Sequence, residues 1–214
     1  MNTPSREDPI DPAHAALLIV DVQNYCAHPD GDASRKLDPQ QRTYIFGRLR
    51  ETVLPNLQRL QSACRRAHIE ILYAAVENMT RDGRDRSLDY KISGIDVPRG
   101  SWDAQVVDEI APAEDEMIFR NTSSSVFIST NIDYVLRNLE VRSLIVTGMM
   151  TDQCVESAVR DACDLGYLVT LVTDACVTDS AERHEQSLLG IRGYCRQRRT
   201  EELVAEIAAL IRPR

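Results

Sequence analysis

The 214-residue chain has no long apolar run, no excess of positive charge and no paired-cysteine motif. Each lack excludes a class. No segment approaches the ~20 apolar residues that span a bilayer as a helix. Lys and Arg number 25 against 33 Asp and Glu, leaving a net charge of −8. That balance argues against nucleic acid and against an anionic membrane surface as partners. Nine glycines and nine prolines are too few for a disordered chain, and no internal repeat or low-complexity tract is visible. The six cysteines (26, 64, 154, 163, 176, 195) contain no C-x-x-C pair. The four histidines (14, 28, 68, 184) add no zinc-ligand spacing. No metal or cofactor is therefore expected. Reduced thiols in a cytoplasmic compartment are the simplest account. The opening segment MNTPSREDPIDPAHA lacks the basic-then-apolar order of a signal peptide. It reads as a polar arm over 1–14, followed by a single domain over 15–214.

What is present is an alternation of apolar β-branched runs with helical periodicity. Residues 15–22 (AALLIVDV) form a continuous apolar run, as in a strand buried on both faces. Residues 41–67 carry apolar residues at helical spacing, with Pro55 placed to kink or split the helix. Residues 69–76 read as a second strand, 116–119 as a short third, 144–146 as a fourth and 168–172 as a fifth. Helices are expected over 102–110, 130–139 with Thr130 as N-cap, 180–189 and 200–210. A short final strand is expected within GIRGYCRQRRT. The polar segment 78–100 reads as an excursion over the strand ends. Alternating strands and helices predict a three-layer α/β/α, Rossmann-like fold with a mostly parallel sheet.

In open parallel sheets ligands bind outside the carboxyl ends of the strands. Asp21, which closes strand one, Arg120 and Asn121, which follow strand three, and Cys154, which follows strand four, fall there in this reading. A cysteine that opens a helix sits where unpaired N–H groups and partial positive charge stabilise a thiolate. The same groups can hold an oxyanion. The plain alternative is a small buried core residue, as free cysteines often are. Strand-end aspartates likewise often cap loops. A carboxylate beside a thiol, however, can serve as general base and then as acid.

These residues carry a specific resemblance. LLIVDVQ at 17–23, SSSVFIST at 123–130, LRNL at 136–139, the G-x-x-T-x-x-C-V element at 148–155 with its downstream RDA and Gly-Tyr, and DAC at 174–176 resemble the isochorismatase-like cysteine hydrolase superfamily. That group includes nicotinamidases, N-carbamoylsarcosine amidohydrolases, ureidoacrylate and biuret hydrolases and isochorismatases. The resemblance implies an Asp–Lys–Cys triad, with Asp21 as acid/base and Cys154 as nucleophile. It implies a cis peptide at Met149–Met150, with the N–H groups of Met150 and Cys154 aimed at an oxyanion. The family lysine position falls on Asn121 here, which is a departure. Arg120 beside it points to the other strand face by alternation, and Lys91 in the excursion is a distant source of a cation. The nicotinamidase metal histidines have no counterpart after strand two, where Glu77-Asn78-Met79-Thr80 stands. His184 reads as a helix pairing residue, and Ser123–Ser125 as loop hydroxyls bonding the backbone.

The expected substrate-contact candidates are Gln23, Tyr25, Glu77, Asn78, Trp102 and Arg120. The expected function is cleavage of a C–N bond in a small amide, carbamoyl or ureido compound through a Cys154 thioester. Cations within 81–99 are candidates for holding a substrate carboxylate. One alternative, resting on Asn121, is a relative that binds a small molecule or a partner without turnover. Another is isochorismatase-type vinyl-ether hydrolysis, which needs no thiol. The expected partner is a small-molecule substrate, and the expected assembly is a homo-oligomer, a dimer or tetramer.

Overall fold

The computed structural model describes residues 3–210. The outermost residues of the expected arm and domain, 1–2 and 211–214, lie outside the described residues. In β1 (Ala15–Val20) every residue is buried. Successive side chains point to opposite faces, so Leu17 and Ile19 enter one core while Ala16, Leu18 and Val20 enter the other. This is why the run is apolar throughout rather than alternating.

Five further strands join it: β2 (Glu70–Val76), β3 (Met117–Asn121), β4 (Ser143–Met149), β5 (Leu168–Val177) and β6 (Arg196–Arg198). They form one six-stranded sheet in the order β3-β2-β1-β4-β5-β6, with every pairing parallel. Between β1 and β2 run α1 (Asn24–Ala27), α2 (Asp32–Lys36), α3 (Pro39–Arg48) and α4 (Leu54–Ala67). α5 (Leu88–Ser93) precedes β3, and α6 (Val126–Ser129) and α7 (Ile132–Asn138) follow it. α8 (Glu156–Asp164) follows β4, α9 (Ala181–Ile191) follows β5 and α10 (Thr200–Leu210) ends the described chain. Leu57 and Leu60 of α4 and Leu203 and Ile207 of α10 fill the core on one face. Leu136 of α7, Val159 of α8 and Ile191 of α9 fill the other. The result is the three-layer α/β/α arrangement that the alternation predicts.

Several boundaries differ from those read in the sequence. β3 extends to Asn121, so Arg120 and Asn121 lie within the strand rather than after it. β5 runs on to Val177, because its register against β4 shifts between Val146 and Gly148 and lets the polar pair Thr173-Asp174 be accommodated. The helix around Cys154 begins at Thr151, as a π-helical turn through Val155 that leads into α8. Cys154 is therefore its fourth residue, not its first. Residues 102–110 form two short 3₁₀ turns, Trp102–Ala104 and Asp108–Ile110, instead of one helix. Pro55 does divide its helix. A π-helical turn over Leu49–Val53 precedes it, and α4 restarts with Pro55 in its first turn, where a missing N–H is tolerated.

Strand order reverses direction between β1 and β4, whose connections leave to opposite sides. This switch point is where open α/β sheets form ligand crevices. Gly148 lets the two strand ends approach. Its φ is 118°, and a Cβ there would lie 2.1 Å from the Val20 carbonyl oxygen. Gly148→Ala is expected to cost about 3 kcal/mol in stability and to displace the β1 end. Denaturant unfolding measures this; a loss below about 0.5 kcal/mol, the range of an ordinary surface change, would contradict the close approach.

Candidate active site

Asp21 follows β1 immediately, with φ 53°, a left-handed conformation that Asp adopts more readily than most residues. Its N–H donates to Ala74 O at 2.9 Å, and its carbonyl accepts from Gln23 N at 2.9 Å and from Cys26 Sγ at 3.1 Å. These bonds clamp a tight turn that swings the carboxylate under the end of β4. There the cis peptide Met149–Met150 leads into the turn bearing Cys154. Thr151 Oγ1 pairs with His184 Nδ1 at 2.9 Å, and Ser187 Oγ donates to Thr151 O at 3.3 Å. α9 thus braces the segment that presents the thiol. His184 serves this bracing, and burial holds its pKa below the usual value.

Asp21 and Cys154 meet in the wall of a cavity of ≈ 190 Å³. No donor reaches either Asp21 oxygen in good hydrogen-bond geometry. The Cys154 thiol and the Asn121 amide lie close enough to favour its charge, but burial outweighs both and pushes its pKa up to about 7. Burial, and then the Asp21 carboxylate, push the Cys154 thiol well above its ordinary value. The expected helix-terminus activation of a thiolate is thus not what burial and the neighbouring carboxylate give. Around neutral pH the sulfur keeps its proton while the Asp21 carboxyl is partly ionised, and as pH rises above about 7 a carboxylate stands beside the thiol ready to accept that proton.

Asn121, at the end of β3, is 1 % exposed. Its Nδ2 donates to Ser123 O at 3.0 Å, and its Oδ1 has no partner. The neighbouring residue points away, as strand alternation requires: Arg120 pairs with Glu77 at 2.9 Å and donates to the Ala104 carbonyl. Lys91 donates to Arg84 O at 2.8 Å and is exposed. Neither brings a cation to the Asp21–Cys154 pair.

Of the expected substrate contacts, only Tyr25 lines the cavity, as do Met149 and Met150. Gln23 is buried and its amide is consumed by backbone: Nε2 donates to Val76 O and Asp103 O, both at 2.9 Å, and Oε1 accepts from Val76 N. Glu77, besides holding Arg120, accepts from Gly100 N at 2.6 Å. Asn78 donates to Asp96 at 2.6 Å. Trp102 sets its ring edge-on to His28 at 4.8 Å and is largely exposed. These side chains anchor the 78–104 excursion across the strand ends instead of facing the cavity.

Sequence reading missed Tyr90. Its hydroxyl lies 3.8 Å from Cys154 Sγ, and its ring is packed with Tyr25, Val76 and Val97 in the cavity roof. It stands on α5, whose start was legible: Ser87 caps the helix by accepting from Tyr90 N, and Asp89 follows in the first turn. Cys26, also in the cavity wall, was noted only as one of six thiols.

The isochorismatase domain family matches residues 15–202. The chain is 28% identical over 196 residues to ureidoacrylate amidohydrolase RutB of Agrobacterium fabrum, covering 82% of each. Its structure resembles a cysteine hydrolase from Pseudomonas syringae pv. phaseolicola, with TM-score 0.83 and 25% identity, over 99% of this chain and 100% of that one. It shares its fold with N-carbamoylsarcosine amidase of Thermoplasma acidophilum, with TM-score 0.71 and 21% identity, over 88% and 97% of the two chains.

Proposed function

Because this chain belongs to the isochorismatase-like hydrolase family, we propose that it is a cysteine amidohydrolase that cleaves a small amide or carbamoyl compound. The observation that carries the reading is the Asp21–Cys154 pair, buried together at the switch between β1 and β4 in a cavity of small-molecule size. The ureidoacrylate-cleaving relative supports a C–N bond as the one broken.

Cys154 Sγ attacks the substrate carbonyl carbon while Asp21 takes the thiol proton. The carbonyl oxygen becomes an oxyanion, held by the amides of Met150 and Cys154 at the helix start. Collapse breaks the C–N bond, and Asp21 returns its proton to the departing amine. Water then attacks the thioester with Asp21 again as base, releasing the acid and restoring the thiol. The Tyr90 hydroxyl donates to sulfur as negative charge grows there, a role that lowers the thiol pKa. No metal enters these steps.

The test is acid quenching during turnover of a panel of small amides, with ammonia assay and mass spectrometry of the Cys154 peptide. An acyl mass increment on Cys154 together with ammonia release is the expected result. Ammonia release with no adduct under any substrate would remove the covalent route.

Asn121 favours a second reading, a relative that binds its ligand without turnover, because no cation helps the thiol ionise. A lysine at this buried position would sit against Asp21, and an opposite charge within ~4–6 Å shifts a pKa by roughly 1–3 units. Asn121→Lys is therefore expected to move the pH dependence of Cys154 alkylation downward by about that amount. An unchanged profile would show that position 121 does not act on the thiol.

A further inference from the structure

The described residues that form the cavity wall include no lysine, arginine or histidine. Its charged groups are two carboxylates, Asp21 and Asp179. Arg183 reaches Asp179 at 2.5 Å but is shared with Asp152, so its charge is already matched. None of the cations of the excursion that roofs the cavity lines its wall, and Arg81 and Arg99 are exposed. Arg84 pairs with Asp82 at 2.9 Å, and Arg86 donates to Gly83 O and Ile95 O at 2.9 and 2.8 Å. The rest of the wall is mainly apolar, from Leu37, Ile45, Val76, Ile95 and Met149, with the neutral polar side chains of Tyr25, Tyr90 and Gln153 among them. Ser34, fully buried in the same wall, has a hydroxyl with no partner. It offers the ligand a neutral hydrogen-bonding group and no charge.

We propose that this cavity selects compact, uncharged amides with an apolar body and rejects amides that carry a carboxylate. A carboxylate entering it would lose its water without gaining a cation, and it would face the Asp21 charge across a low-dielectric space. An uncharged amide incurs neither penalty, and its apolar body takes up the wall's apolar surface. The hydrolysis of such amides rests on the reading of Cys154 as nucleophile; the charge selection rests on the wall alone.

Two reagents of nearly equal size separate the claims. Iodoacetamide and iodoacetate alkylate the same thiol and differ by amide against carboxylate. Their rate ratio at Cys154, read by peptide mass spectrometry, is compared in the native protein and in the same protein unfolded in urea. The native ratio is expected to favour iodoacetamide by about 100-fold more than the unfolded one. Ile95→Lys, at a half-buried roof position, places a cation on the wall and is expected to narrow the native ratio by about tenfold. In parallel, 4-methylpentanamide is expected to exceed succinamate in kcat/KM by about 100-fold, measured as ammonia release. Equal native and unfolded ratios, or succinamate turned over as fast as its neutral counterpart, would overturn the selection. A selective alkylation ratio with neither amide hydrolysed would uphold the selection and reject the hydrolase reading.

Discussion

Replacing Cys154 by serine is expected to lower amide hydrolysis by at least about 10⁴-fold and to leave the fold intact. Asp21, with its pKa near 7, is a strong enough base to receive a proton from a thiol during attack. An alcohol is several pKa units less acidic than a thiol, and its neutral hydroxyl is the poorer nucleophile in a site arranged around sulfur. The substitution removes little packing, since the side chain changes by one atom. The new hydroxyl can also donate to an Asp21 oxygen that has no partner now, so the melting temperature should not fall. Ammonia release and intact-protein mass measure the outcome. Turnover near the wild-type rate, or an acyl adduct on the variant, would remove Cys154 from the nucleophile's place.

Asp21→Asn is expected to reduce activity by about 10²–10⁴-fold and to raise stability above neutral pH. The two effects have one cause. The folded carboxyl binds its proton more tightly than the unfolded one, with a pKa of about 7 against 3.8. Between these values the native state holds a proton that the unfolded state has lost, so native stability falls as pH rises through about 7. Below 3.8 the carboxyl imposes no such penalty. Asparagine accepts the same left-handed backbone and carries no charge to desolvate. Its advantage should therefore grow from pH 4 to pH 8, reaching the order of 4 kcal/mol. Urea unfolding of both proteins at several pH values measures it. For the wild type, kcat/KM should rise with pH through about 7 as the base ionises. An acid limb near pH 4, or a pH-independent stability difference, would show that Asp21 is not buried in the way described.

The parts of the fold legible in the sequence were those whose burial is symmetric or periodic. The short continuous apolar runs of β1, β2 and β4 read as strands covered on both sides. The spacing through Ile45, Leu49, Val53, Leu57 and Leu60 fixes one face of a helix pair. The end of β5 was hidden because Thr173 and Asp174 interrupt its pattern. Asp174 takes up Thr200 N and Oγ1, both at 2.7 Å, from 26 residues away, and no local signal announces such a partner. At the site, Asp21 and Cys154 were legible because each follows an apolar strand with an abrupt polar turn. The fate of Gln23, Glu77, Asn78 and Arg120 was not. Polar side chains at strand ends look alike in sequence, whether they face a ligand or a crossing loop. Their use as anchors for the 78–104 segment is decided by contacts as far as 80 residues apart. Tyr90 was lost in the same segment, where isolated aromatics among many charges give no period.

The burial of Cys154 beside a carboxylate has a consequence for chemical durability. Peroxide attacks the thiolate, and susceptibility to sulfenic acid formation follows thiolate content and exposure. Here the resting sulfur is buried, held protonated by its own surroundings and faced by a carboxylate rather than a cation. The nucleophile is unmasked only when a carbonyl arrives to receive it. Under oxidative stress this thiol should outlast those of enzymes that keep a standing thiolate at the surface, with survival set by how seldom the resting cavity exposes the anion.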